Sequence, residues 1–136
     1  MSENHGRPAA EPIERVVAGT TIVAPRGELD LLTAPVLSRR LDALTAGAFP
    51  DLVLDLRGVS FIDCSGLRVL CRARRLALSR GGRLRLITRS PGLLRILHHT
   101  RLAGVFELLP RLPAELDAAA VSPVAGRRTR SPDSAP

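Results

Sequence analysis

One stretch, Asp51 to Ala77 (DLVLDLRGVSFIDCSGLRVLCRARRLA), changes its apolar period partway along, and this change constrains the fold more than any other feature. Leu52, Leu54 and Leu56 alternate with their neighbours, and Val53 sits between them, so Leu52 to Leu56 reads as a mostly buried strand. Arg57-Gly58 supplies a turn, and Val59 and Phe61-Ile62 return apolar side chains towards the core. From Leu67 the apolar spacing is about 3.6, the period of a helix. Ser65 thus stands where the chain leaves a sheet edge and enters a helix. The unpaired amides and dipole at such a point favour an anion, including a phosphoryl group on the serine itself.

The flanking segments repeat the strand–helix alternation. Ile13 to Ala18 and Thr21 to Pro25 read as strands paired antiparallel across a turn at Gly19-Thr20. Gly27-Glu28-Leu29-Asp30 leaves the second strand. Thr33-Ala34-Pro35 then predicts a hydroxyl-capped helix over Ala34 to Thr45, buried along Leu37, Leu41 and Leu44. The helix after Ser65 runs to Ser79 and buries Val69, Leu70, Ala73, Leu76 and Ala77. Arg68, Arg72 and Arg75 lie on its opposite face, and Gly81-Gly82 ends it. Arg83 to Thr88 predicts a strand. Ser90-Pro91 starts a helix lasting to His99 or Thr100, with Leu93, Leu94, Leu97 and His98 on its packed side and His99 nearer solvent. Val105 to Leu108 predicts a last strand.

The order ββαβαβαβ implies an α/β fold: a mixed, largely parallel sheet of four or five strands, with helices packed mainly on one face. Leu37, Leu41, Leu70, Leu93 and Leu97 should line that interface. A chain of 136 residues suits one domain. The sequence divides into a disordered lead-in over 1–12, the domain over 13–110, a stretch at 111–120 suited to a short helix over Ala114 to Ala120, and a disordered, basic and Pro-rich tail over 121–136.

Composition narrows the partner. The chain has three Phe and no Tyr or Trp, so there is no stacking platform for single-stranded nucleic acid or a sugar ring. The formal net charge is +7, with ten Arg and no acid between Arg68 and Phe106. A basic half of this kind steers an acidic protein or phosphate groups. With no nucleic-acid-binding motif, nucleic acid is not the expected partner. No stretch approaches a membrane span and no signal pattern opens the chain, so a soluble cytoplasmic protein is expected, with no membrane association. Cys64 and Cys71 have no partner at ligand spacing and read as small core residues in a reduced compartment.

No enzyme constellation is present. Ser65 has no base near it in sequence, adjacent His98 and His99 cannot both face one site, and Gly81-Gly82 lacks the residues of a phosphate loop. No metal site or cofactor is expected. Asp55, inside the central strand, must be paired or turned to solvent. From chemistry alone two readings of the helix start stand side by side. In one, Asp63 or Cys64-Ser65 merely caps the helix. In the other, Ser65 accepts a phosphoryl group close enough to Asp63 to change the electrostatics of that surface with little backbone motion.

The segments VVAGTTIVAPRGELDLLTAPVL, DLVLDLRGVSFIDCSGLRVL, GGRLRLI and LAGVFELLP, in this order, resemble an anti-sigma factor antagonist. This is the soluble, stand-alone form of the domain shared by sulphate transporters and anti-sigma factor antagonists (STAS). The resemblance covers Ile13 to Pro110, and its most specific part is GELD combined with FIDCSGL.

The resemblance implies a bacterial regulator of transcription, with roles such as stress response, that binds an anti-sigma factor serine kinase of the histidine-kinase-like ATPase type. Binding frees the sigma factor. The family motif D-[ST]-[ST]-G aligns with Asp63, Cys64, Ser65 and Gly66, which makes Ser65 the implied phosphorylation site. Its modification abolishes binding, and a metal-dependent serine phosphatase reverses it. The implied partner surface comprises Glu28, Leu29, Asp30 and Leu31 together with Ser65 and the start of its helix, where Leu67, Arg68 and Arg72 follow. The middle motif position departs from the family, being Cys64 rather than Ser or Thr. The alternative is a non-phosphorylated scaffold or docking subunit of the same fold in a sensory or lipid-transport complex.

Overall fold

A computed structural model of the chain describes residues 11–121. The expected lead-in and tail therefore lie outside the described residues, apart from positions 11, 12 and 121. The strands are β1 (Ile13–Val17), β2 (Thr20–Ala24), β3 (Gly27–Leu29), β4 (Asp51–Asp55), β5 (Val59–Ile62), β6 (Arg83–Ile87) and β7 (Glu107–Leu109). The helices are α1 (Ala34–Leu44), α2 (Cys64–Ser79), α3 (Pro91–His99) and α4 (Ala114–Val121).

Five strands form one sheet in the order β1-β2-β4-β6-β7. Only β1 is antiparallel to its neighbour. The β1–β2 hairpin turns at Ala18-Gly19, with φ of 51° and 84°, one residue earlier than expected. Positive φ at both positions matches the twist of a two-residue hairpin.

The strand sequences show why β4 and β6 are central. Both are buried on two faces: β4 carries the apolar run Leu52-Val53-Leu54, and in β6 the buried Arg85 stands between Leu84 and Leu86. Val23, Leu52, Leu54, Leu84 and Leu86 pack on one side against Leu37 and Leu41 of α1, Leu70, Ala73 and Ala77 of α2, and Leu93 and Leu97 of α3. All five residues expected at the helix–sheet interface are in this core. Ile22, Val53 and Ile87 point to the other side, where Val17, Leu112 and Leu116 cover them and α4 lies. Three described helices thus share one face. Arg85 also lies buried on the α4 side, donating to Asp51 Oδ1 at 3.3 Å, and Asp51 in turn accepts from the Thr20 hydroxyl at 2.8 Å.

The structure adds a second, two-stranded parallel sheet of β3 and β5, which the sequence reading treated as connections. It also corrects three burial expectations. Phe61 is exposed, not returned to the core: Ile62 takes the inward position, and successive strand residues face opposite ways. His98 is exposed like His99. The buried residues of α3 are Leu93 and Leu97, and a step of about 100° per residue carries His98 off that stripe. Cys64 is exposed at the first position of α2, while Cys71 is half-buried against the core. The last strand begins at Glu107 rather than Val105, because Phe106 turns into the core and Val105 is left exposed.

Candidate functional site

The start of α2 is built from Asp63. Its backbone is extended (φ −117°, ψ −166°), and its Oδ1 accepts from the amides of Ser65 at 2.8 Å and Gly66 at 3.3 Å. A carboxylate in this position satisfies two amides that have no helical acceptor and meets the positive end of the helix dipole. The Asp63 amide donates to the Leu29 carbonyl at 3.1 Å, which ties the helix start to the end of β3.

Gly66 makes that approach possible. A Cβ there would lie 2.5 Å from Ile62 Cγ1 and 2.8 Å from the Leu29 carbonyl oxygen. Only a residue without a side chain fits, so the Ser65-Gly66 pair has a steric cause. Ser65, half-exposed, is held beside the loop that follows β3. Its hydroxyl has no hydrogen-bond partner among the described residues.

That loop is internally satisfied. Asp30 Oδ1 accepts from the amides of Leu32 at 3.0 Å and Thr33 at 3.1 Å, and the Asp30 amide donates to Thr33 Oγ1 at 3.0 Å. The Thr33 hydroxyl donates to the Glu28 carbonyl. Thr33 therefore does not cap α1 with its side chain, contrary to the sequence expectation, because its hydroxyl closes the loop instead. The Thr33 amide above all, helped by the Leu32 amide against an opposing burial effect, holds the Asp30 carboxyl below its ordinary value.

The expected partner residues divide by exposure. Leu29 and Leu67 are buried and support the site from beneath, whereas Glu28, Leu31 and Arg68 are exposed and Asp30 is half-buried. Arg72 forms a two-point ion pair with Asp42 of α1 (3.0 and 3.2 Å), so it also braces the helix pair. Both groups are well exposed, and such pairs contribute little stability. Arg68, Arg72 and Arg75 border a cleft of about 550 Å³ along α2 with Cys64, Leu67 and Cys71.

The exposure of two apolar residues escaped the sequence reading. Leu32 is 84% exposed and Phe61 53% exposed, and with Leu31 at 74% they are three large apolar side chains open to solvent, two in the loop after β3 and one on β5. Parallel pairing sets Phe61 beside Glu28. The adjacent leucines in a loop ahead of a helix were the available signal: neither belongs to the stripe of α1. Asp55 pairs with Arg57 through Oδ1 at 2.9 Å and Oδ2 at 2.7 Å, so its carboxylate is engaged in the turn that follows β4. Among the described residues no three metal-ligating side chains cluster, and no helix is long and apolar enough to cross a membrane.

Residues 9–121 match the family model of the STAS domain. The chain is 30% identical over 101 residues to the anti-sigma F factor antagonist of Paenibacillus polymyxa, covering 74% of this chain and 84% of the relative. It is 34% identical over 82 residues to the anti-sigma-B factor antagonist of Bacillus subtilis, covering 60% and 74% respectively. A crystal structure of an anti-sigma factor antagonist from Mycobacterium paratuberculosis superposes with a TM-score of 0.71 at 30% identity, covering 84% of this chain and 97% of that one.

Proposed function

This chain belongs to the STAS domain family of anti-sigma factor antagonists, and from that membership we propose that it is a partner switch with Ser65 as the on/off position. It is a regulatory domain rather than an enzyme. In the unmodified state it binds an anti-sigma factor serine kinase in the cytoplasm and so frees a sigma factor. The kinase transfers a phosphoryl group to Ser65, binding is lost, and a serine phosphatase restores it.

The observation that supports this reading most is the Ser65 hydroxyl. It is half-exposed and without a hydrogen-bond partner among the described residues, at a helix start bonded to the end of β3, whose following loop exposes Leu31 and Leu32, while β5 exposes Phe61. Those apolar side chains suit a protein partner, and Glu28, Asp30 and Arg68 supply polar contacts around them. Asp63 is engaged with the helix amides and needs no rearrangement when Ser65 is modified. A phosphoryl dianion at Ser65 adds charge beside the Asp63 carboxylate, at a helix dipole that tolerates it. The fold is retained while the surface gains negative charge and hydration. Cys64, in the middle motif position, leaves this chemistry intact because it is not the acceptor.

Calorimetric titration of the kinase tests this reading. Ser65→Ala should bind like the unmodified protein, and Ser65→Asp at least about ten-fold more weakly, a loss of roughly 1.4 kcal/mol. Equal affinity of the two variants would instead favour a docking subunit that takes no phosphoryl group.

A further inference from the structure

Beyond the Ser65 surface, the carboxyl end of the sheet carries a crevice with a divided character. One part, about 160 Å³, is lined mainly by Leu56, Val59, Phe61, Ile62, Leu93 and Ile96. An adjoining part of about 200 Å³ shares Leu56, Val59 and Ser90 with it and adds Arg57 and Arg89. The walls are fixed by backbone bonds. Leu56 N donates to the Ile87 carbonyl at 2.8 Å, and Val59 N to the Leu56 carbonyl at 3.0 Å. Opposite them, the Ser90 hydroxyl accepts from the Leu93 amide at 3.2 Å and holds the first turn of α3 in place.

We propose that this crevice binds a small amphipathic carboxylate, its apolar tail in the Leu56–Ile96 slot and its carboxylate at Arg89. Arg57 is neutralised by its two-point pair with Asp55, whereas Arg89 is exposed and forms no ion pair among the described residues. The polar part therefore has one uncompensated positive charge, and the start of α3 adds its positive dipole end. The slot is about the size of cavities that hold a benzene-sized group, and it is too small for a drug-sized ligand or a length of peptide. It opens beyond the carboxyl ends of the neighbouring parallel strands β4 and β6. This inference is independent of phosphorylation, although Phe61 and Ile62 lead directly into Asp63 and α2.

The test is an NMR titration of the isotopically labelled full chain with hexanoate, with acetate and hexanol as probes of charge alone and tail alone. Hexanoate should shift the amides of Val59, Phe61 and Gly92 saturably, and the other two should bind at least about ten-fold more weakly. Arg89→Ala should weaken hexanoate about ten-fold and leave hexanol unchanged, as expected for one charge-assisted contact. Gly92→Leu should abolish binding of both. Gly92 lines the slot, and a Cβ there meets only Ser90 Oγ at 3.6 Å, so the backbone has room for a side chain at this position. The proposal is overturned if hexanoate gives no saturable shifts at these amides, or if hexanol binds as tightly as hexanoate. It is equally overturned if Arg89→Ala binds hexanoate unchanged, or if only an apolar peptide saturates the crevice.

Discussion

The starts of α1 and α2 meet at the end of β3 and use the same residue types, a carboxylate and a hydroxyl, in opposite ways. Before α1, Asp30 and Thr33 bond to one another's backbone amides and the Thr33 hydroxyl donates to the Glu28 carbonyl, so carboxylate and hydroxyl both have structural partners. At α2, Asp63 alone satisfies the Ser65 and Gly66 amides, and the Ser65 hydroxyl is left over. The start of α3 follows the α1 pattern, because the Ser90 hydroxyl accepts from Leu93 N. Of these three hydroxyls, the one without a structural role is the one positioned for chemistry. The loop before α1 is a fixed wall, and the start of α2 is the reactive edge beside it.

Substitutions sharpen that contrast in decreasing order of effect. Gly66→Val should be the most damaging, costing about 3 kcal/mol or more in urea unfolding, because the close approach to Ile62 and Leu29 leaves no room. Asp63→Ala should cost about 1–2 kcal/mol through loss of the cap, and Asp63→Asn much less. Ser90→Ala should cost about 1 kcal/mol for the same reason. Ser65→Ala should fall within about 0.5 kcal/mol of the parent. If it cost as much as Ser90→Ala, the distinction between a structural and an unengaged hydroxyl would fail.

The smallest effect concerns pH. The folded-state pKa of Asp30 lies below its ordinary value of 3.8, chiefly through the Thr33 amide. A depressed carboxyl contributes stability above its unfolded pKa and loses it as pH falls through the folded one. Acid unfolding midpoints below about pH 4 should therefore be less pH-dependent in Asp30→Asn than in the parent. Identical profiles would mean that the loop places no demand on the charge of Asp30.

Most of the layered fold was legible in the sequence, because the alternating leucines of β4 and β6 and the period of about 3.6 residues in the helices point where the pattern says. The β3–β5 sheet was not. Its strands span three and four residues, too short for a period, and their pairing is a tertiary event. Phe61 was misplaced for the same reason: without the register that sets it beside Glu28, an aromatic next to Ile62 reads as core. The Asp63 cap was legible, since an acid before a new helical period has one obvious use. The role of Thr33 was not, because its hydroxyl had two candidate partners and only the folded loop selects between them. The exposed Cys64 shows the limit of composition: cysteine is commonly buried, but the first position of α2 faces outward.

The most direct test is intact-mass spectrometry of the protein after incubation with ATP and the anti-sigma kinase encoded nearest to it. The account predicts one added phosphoryl group on the parent chain and none on Ser65→Ala. A phosphoryl group that persists in Ser65→Ala, or an unmodified parent chain in the presence of a demonstrably active and bound kinase, would contradict it.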